Sequence, residues 1–363
     1  MMISEPFGRA RGRADNAVSN GPAGVLRRAA VRARLAWRPA RRDRPIKRRV
    51  VVHRSFVAGW VCVSALVWLL GASAASAQAS SFTPGSVGGL DYHLFVPSAA
   101  DGSRALPLVV YLHGCQQTAP DAALGTRWNQ RAEADGFLVL YPQQSLARND
   151  GRCWNWWVSA NQSRDGGEAK LIADATRDVM ARYRIDARRV FMIGASAGGA
   201  MSVVMAATYP DVFAAVANLG GCGFATCADA TGLLAYRAMG PRARPVPLLT
   251  AAGTFDVTFL GVASGVPQWL RTSDFADDGT QNGSVSRTPA STVLHTATAD
   301  SYAYMTQVYD DRRGEDLVQF TTVFGAGHVY LGGDPAGSFT DPKGPAYTPS
   351  AWAFFSRHPM PSP

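Results

Sequence analysis

Seven short apolar runs recur along this chain, and the stretches between them carry helix-like patterns. The runs are DYHLFVP, LPLVVYLHG, FLVLYP, RVFMIGAS, FAAVANLGG, PVPLLTAAG and LVQFTTVFG, the first beginning at Asp91 and the last ending at Gly325. The central ones are nearly unbroken apolar sequence rather than alternating, as a strand requires when helices cover both faces of a parallel sheet. TRWNQRAEADG, EAKLIADATRDVMARYR, the segment after Ser196 and a last segment around SAWAFFSRH read as helices. Strand and helix alternating in this way specify the α/β class, a doubly wound and mostly parallel sheet with helices on both faces. One stretch does not fit. Residues 264–298 are rich in Ser, Thr, Asp and Gly and lack periodicity, so they read as a surface excursion, with a flap beside the site as the alternative.

With 363 residues, 47% of them hydrophobic, the chain can bury one full-sized core. The expected organisation is a leader over residues 1–79 and a catalytic domain over residues 80–363. The net charge of +9 would suggest a nucleic-acid or membrane partner if it were spread along the chain. It is not: residues 1–54 hold 15 Lys and Arg against Glu5, Asp15 and Asp43, a surplus larger than the whole chain's, so the remainder is mildly acidic. Lys47, Arg48 and Arg49 precede an uncharged apolar run over 56–70, followed by GASAASAQA with A-x-A sites ending at Ala74, Ala77 or Ala79. That is the layout of a secretory signal peptide, and the apolar run is shorter than the roughly 20 residues of a membrane span. An uncleaved anchor and a nucleic-acid-binding arm are the alternatives. The expectation is an exported product, extracellular or periplasmic, with no nucleic-acid partner and no lasting membrane association.

Cleavage would remove Cys62 and leave Cys115, Cys153, Cys222 and Cys227. An even count in an oxidising compartment suggests two disulfides. Cys222 and Cys227 are close enough to bridge locally, which leaves Cys115 with Cys153. The spacings give no C-x-x-C pair that would suggest a metal site, so neither metal nor cofactor is expected.

The pentapeptide Gly194-Ala195-Ser196-Ala197-Gly198 closes the run RVFMI and opens a helix-like segment. The five-residue pattern alone is weak evidence; strand before and helix after make it a nucleophile elbow, a tight turn that exposes the serine hydroxyl above the sheet. A serine hydroxyl needs a base at neutral pH. Of the histidines after Ser196, His328 stands in GAGH directly after LVQFTTVF, whereas His295 ends the irregular stretch and His358 lies beyond the last helix. Asp256 follows PVPLLTAAGTF at a strand end, where an acid that orients the imidazole belongs; Asp274, Asp277 and Asp278 have no strand ahead and read as solvated loop charges. A tetrahedral intermediate also needs oxyanion donors. Ala197 supplies one N–H and the loop His113-Gly114-Cys115-Gln116-Gln117 the other, from Cys115 first and Gln116 second, with His113 shaping the loop. Trp154, Trp156 and Trp157 lie toward the ligand-binding edge of the sheet and are expected to bind substrate, core filling being the alternative.

Taken together, LHGCQQTA, CWNWW, YRIDARRVFMIGASAGGAM, ATYPDVFAAVANLGG, AAGTFD and GAGHVYLGG resemble the polyhydroxybutyrate-depolymerase family of esterases, which includes feruloyl and acetylxylan esterases. The likeness runs from about Asp91 to Pro359 in the same order. It implies the α/β-hydrolase fold, catalytic roles for Ser196, Asp256 and His328, and an oxyanion hole of Cys115 and Ala197. The chain departs from the family after Asp256, with VTFLG where the family has V-P-Y. It departs again after His328, where Val329-Tyr330-Leu331 replaces a Trp-Pro pair. The expected activity is carboxylic ester hydrolysis through an acyl-enzyme, on hydroxybutyrate-type polyesters or their oligomers first and on feruloyl or acetylxylan esters second. A peptidase, or a non-catalytic binding protein on the same fold, is the competing class. Because the chain ends soon after His328, no separate polymer-binding module is expected, and soluble oligomers should be cleaved faster than crystalline polymer.

Overall fold

In chain order the strands are β1 (Ser81–Val87), β2 (Leu90–Val96), β3 (Leu106–Leu112), β4 (Leu138–Gln143), β5 (Ile185–Ala195), β6 (Val216–Leu219), β7 (Leu248–Gly253), β8 (Ser291–His295), β9 (Tyr304–Asp310) and β10 (Asp316–Val323). The helices are α1 (Ala119–Thr126), α2 (Trp128–Asp135), α3 (Gly167–Arg182), α4 (Ala197–Thr208), α5 (Leu233–Met239), α6 (Phe259–Asp278) and α7 (Tyr347–Arg357). These come from a computed structural model that describes residues 78–362, all within one compact unit. The expected leader, apart from its last two residues, lies outside the described residues. Among the described residues no helix is long and apolar enough to cross a membrane.

These ten strands join one sheet in the order β1-β2-β4-β3-β5-β6-β7-β10-β9-β8, and two short segments, Tyr330–Leu331 and Thr340–Asp341, pair in parallel as a separate two-stranded sheet. The central strands β4, β3, β5, β6, β7 and β10 pair in parallel, and the flanking pairs are antiparallel. Successive side chains of a strand point to opposite faces, and β5 shows the consequence. Val190 and Met192 join one core with Ile172 of α3, Met201 and Met205 of α4, and Trp269 of α6. Phe191 and Ile193 join the other with Trp128 of α2 and Phe354 and Phe355 of α7. Both faces of the sheet are therefore covered by helices, as the unbroken apolar runs required.

All seven expected strands form. β1, β8 and β9 were not apparent in the sequence: β1 and β8 are edge strands, which need no apolar face, β1 carrying Pro84 and Gly85 and β8 largely exposed, while β9, between β8 and β10, is mostly half-buried and mixed in polarity. The stretch 264–298 corrects the expectation. Its first half lies in α6, which buries Val262, Val266, Trp269 and Leu270, and whose Pro267 sits inside the helix. Polar residues concealed it because several are buried for structural reasons. Asp274 is not a solvated charge: it is 4% exposed and accepts hydrogen bonds from the N–H groups of Gly283 and Val285 and the Ser284 hydroxyl.

The last helix is fastened by stacking and by charge. Phe355 lies 4.8 Å from Phe191 with nearly parallel rings. At its end, His358 Nδ1 is 2.7 Å from the Phe354 carbonyl, and Nε2 is 2.6 Å from the Asp316 carbonyl and 2.9 Å from Asp316 Oδ1. Acceptors at both ring nitrogens select the imidazolium. Burial opposes that charge, but the Asp316 and Phe354 acceptors outweigh it and raise the His358 pKa. Burial also opposes the Asp316 carboxylate, and its bonds from His358 and Arg357 prevail, lowering it to about 2.

The raised histidine adds stability below its unfolded pKa, about 6.5, and loses it as pH climbs through the folded value. The depressed aspartate adds stability above its unfolded pKa, about 3.9, and loses it as pH falls toward 2. The pair therefore stabilises most in the mildly acidic window between those limits. Asp316→Asn should lower the Tm more at pH 5 than at pH 9, as thermal unfolding at the two values will record.

Candidate active site

Ser196 stands between β5 and α4 with φ 56° and ψ −122°, a conformation that non-glycine residues rarely hold. Its neighbours explain why it persists. A Cβ on Gly194 would lie 2.1 Å from the Gly198 carbonyl oxygen, and one on Gly198 would lie 2.1 Å from that of Leu112 in β3. Only glycine at both places lets β5 turn into α4 this tightly, and the Ser196 N–H then donates to the Leu219 carbonyl at 2.8 Å. Every residue of α4 is buried, so the helix that follows the turn is clamped.

β7 and β10 are parallel neighbours, so the loops at their C-terminal ends lie side by side. The N–H groups of Thr254 and Phe255 donate across the gap to the carbonyls of Val323 and Ala326, each at 2.9 Å. This pairing brings Asp256 and His328 together. His328 Nδ1 is 2.8 Å from Asp256 Oδ1, and its Nε2 is 2.7 Å from Ser196 Oγ. Gly220, at φ 65°, leaves room for the pair: a Cβ there would approach both to 3.1 Å. The Asp256 side chain is almost wholly buried, and burial works against its charge. The hydrogen bond from His328, with those from the Thr258 hydroxyl (2.6 Å) and N–H (2.7 Å), outweighs burial and holds its pKa below the ordinary value. A carboxylate fixed in this way holds the imidazole with Nδ1 protonated and Nε2 free to accept the serine proton.

The donors beside the serine are equally constrained. Ala197 is the first residue of α4, so its N–H has no intrahelical partner. In the 113–117 loop, the Gly114 N–H donates to Gln117 Oε1 at 3.0 Å and the Gln116 N–H to the Gly151 carbonyl at 2.7 Å. Gln116 is thereby spent, whereas the Cys115 N–H has no protein acceptor among the described residues. His113 is 1% exposed; its Nδ1–H donates to the Gly114 carbonyl at 2.7 Å and its Nε2 accepts the Gln144 N–H at 3.1 Å. Burial lowers its pKa to about 4, so it is a neutral scaffold for the loop. Disulfides join Cys115 to Cys153 and Cys222 to Cys227, in the expected pairing.

The cleft above Ser196 holds about 130 Å³ and is walled by Leu219, Val329, Tyr330 and Phe339. The tryptophans expected to bind substrate are not among its lining residues. Trp154 is fully buried, 5.6 Å from the His113 ring and so packed behind the oxyanion loop. Trp156 and Trp157 pack edge to face, and Trp157 is 45% exposed. The Trp154 end of the run is anchored inside because the buried Glu168 accepts from the Asn155 N–H (2.8 Å), Asn155 Nδ2 (2.6 Å) and Gln144 Nε2 (2.6 Å). Val329 and Tyr330 were within reach of sequence reasoning, since they follow His328 directly. Phe339 carried no sequence signal. His295 stacks on Tyr304 at the end of β8, remote in role from the triad.

Residues 90–268 match the family model described as esterase PHB depolymerase, the group whose motifs this sequence resembles. Poly(3-hydroxyalkanoate) depolymerase C of Paucimonas lemoignei is 33% identical over 66% of this chain and 58% of its own length. Feruloyl esterase B of Neurospora crassa is 40% identical over 34% of this chain and 41% of its own. The chain thus spans well under two thirds of the length of these curated relatives. Among solved structures, acetyl xylan esterase from Aspergillus awamori aligns over 68% of this chain and 94% of its own, with TM-score 0.56 and 23% identity. The α/β-hydrolase fold is common to both.

The clearance around the elbow makes a direct test. Gly198→Ala should destabilise by about 2 kcal/mol or more, because β3 and α4 must part to admit the methyl group. Gly327→Ala, where a Cβ meets nothing within 4 Å, should stay within about 0.5 kcal/mol of the parent. Denaturant melts of the two variants give the comparison.

Proposed function

We propose that this chain is a secreted serine esterase that cleaves carboxylic esters through an acyl-enzyme. The observation that carries the reading is the unbroken hydrogen-bonded series Asp256–His328–Ser196 at the floor of an open cleft. Ser196 Oγ attacks the ester carbonyl as His328 Nε2 takes its proton, and Asp256 stabilises the imidazolium that forms. The N–H groups of Cys115 and Ala197 bind the oxyanion. The imidazolium then protonates the departing alcohol, leaving Ser196 acylated, and the same histidine activates the water that releases the acid.

For the substrate, polyesters of the hydroxybutyrate type or their oligomers lead. The relative matched over most of this chain is named a poly(3-hydroxyalkanoate) depolymerase. The cleft also suits a neutral aliphatic ester, because among the described residues lining it Asp256 is the one carboxylate and no Lys or Arg is present, and Asp256 is already paired with His328. Feruloyl or acetylxylan esters are the second reading, supported by the higher identity to feruloyl esterase B over a shorter stretch. Export is supported by the signal-peptide layout of the sequence and by two disulfides in the catalytic domain, proposed as residues 80–363 after a leader.

Ser196→Ala and His328→Ala should each reduce p-nitrophenyl butyrate turnover by several powers of ten with the melting curve preserved, since triad members act as a unit. Either variant retaining more than about a tenth of the parent rate contradicts the assignment. A parallel assay on methyl ferulate, acetylated xylan and hydroxybutyrate trimer ranks the substrates, and the trimer should be cleaved fastest.

A further inference from the structure

Three residues lining the cleft hold a left-handed backbone without being glycine: Gln116 at φ 65°, Ser196 at φ 56° and Phe339 at φ 53°. Strain of this kind persists only where the surroundings over-determine it, and it concentrates at working sites. At Ser196 it exposes the proposed nucleophile, and at Gln116 it turns the loop that carries the Cys115 N–H. Phe339 has no such task. It is a bulky aromatic, 53% exposed, and it pairs with no other ring among the described residues.

The chain nevertheless holds this residue from both sides. The Tyr330 N–H donates to the Phe339 carbonyl at 2.6 Å. The preceding Ser338 gives its N–H to Asp121 Oδ1 at 3.0 Å and its hydroxyl to Asp121 Oδ2. Gln117 Nε2 reaches the Ser338 carbonyl at 3.1 Å, while the same amide's Oε1 accepts the Gly114 N–H. One side chain thus couples the oxyanion loop to the loop bearing Phe339, and the following Thr340 hydroxyl donates to the Asp334 carbonyl at 2.8 Å. An aromatic ring held rigidly at the mouth of a catalytic cleft, half in water, gains its remaining burial only when an apolar group arrives.

We propose that Phe339 is a specificity-determining residue, the aromatic wall against which the aliphatic chain of the scissile ester's acyl group packs. The inference rests on the esterase reading of Ser196. In it, the strain at Phe339 is the means by which a half-exposed ring is kept at the cleft rather than folded back onto the core.

The test compares p-nitrophenyl acetate, butyrate and hexanoate on the parent, Phe339→Gly and Phe339→Trp. Glycine accepts φ 53° without strain, so Phe339→Gly removes the ring while leaving the Tm equal or higher. The expected result is a KM about tenfold higher for butyrate and hexanoate, with acetate KM and all kcat values within about twofold of the parent. Phe339→Trp should restore the preference for the longer acyl chains. An equal loss on all three esters, or unchanged selectivity between acetate and hexanoate, would overturn the proposal. A parent protein inert toward all three esters would overturn the esterase reading, and this inference with it.

Discussion

The tight passage from β5 into α4 sets the geometry on which the site depends. Ser196 is held at φ 56° because Gly194 and Gly198 admit backbone where any side chain would collide, and because α4 is buried along its whole length. A strained residue of this kind costs on the order of 1–3 kcal/mol. Burial of the α4 apolar side chains, at about 1.5–3 kcal/mol for each large one, readily offsets it. The turn also leaves the Ala197 N–H at the head of a twelve-residue helix, beside the serine hydroxyl. The proposed nucleophile and the proposed first oxyanion donor are therefore two results of one constraint.

Parallel pairing extends that constraint sideways. β5, β6, β7 and β10 run the same way, so their C-terminal ends meet along one edge of the sheet. Ser196 leaves β5, Gly220 follows β6, Asp256 follows β7 and His328 follows β10, and each hydrogen bond of the triad crosses between strands. The loop after β3, proposed to supply the second oxyanion donor, joins the same edge and is held from behind by His113, by the disulfide to Cys153 and by the packed Trp154.

Much of this was legible in the sequence because it depends on local pattern. The near-continuous central runs, alternating with helix patterns, fit strands covered on both faces, and all seven expected strands formed. The G-x-S-x-G turn, the acid after a strand end and the histidine after the next are ordered along the chain as the sheet orders them in space. What escaped notice depended on partners far away in sequence. Helix α6 was hidden because Asp274 is buried to hold the 283–285 turn, so a polar composition did not mean a loop. The tryptophan run lies near the right edge, but Trp154 is buried behind the 113–117 loop, anchored there by Glu168, and none of the three lines the cleft. Phe339 reaches the cleft through Ser338 and Gln117, which are 221 residues apart, and no local signal records such a contact.

On this reading His328 makes Ser196 the one activated nucleophile of the folded domain. Brief exposure of the native protein to an alkyl fluorophosphonate, followed by peptide mass analysis, tests it most directly. One adduct per chain is expected, on the peptide containing Ser196, with labelling nearly abolished in His328→Gln. An adduct on another residue, or equally fast labelling of Ser196 without His328, would contradict it.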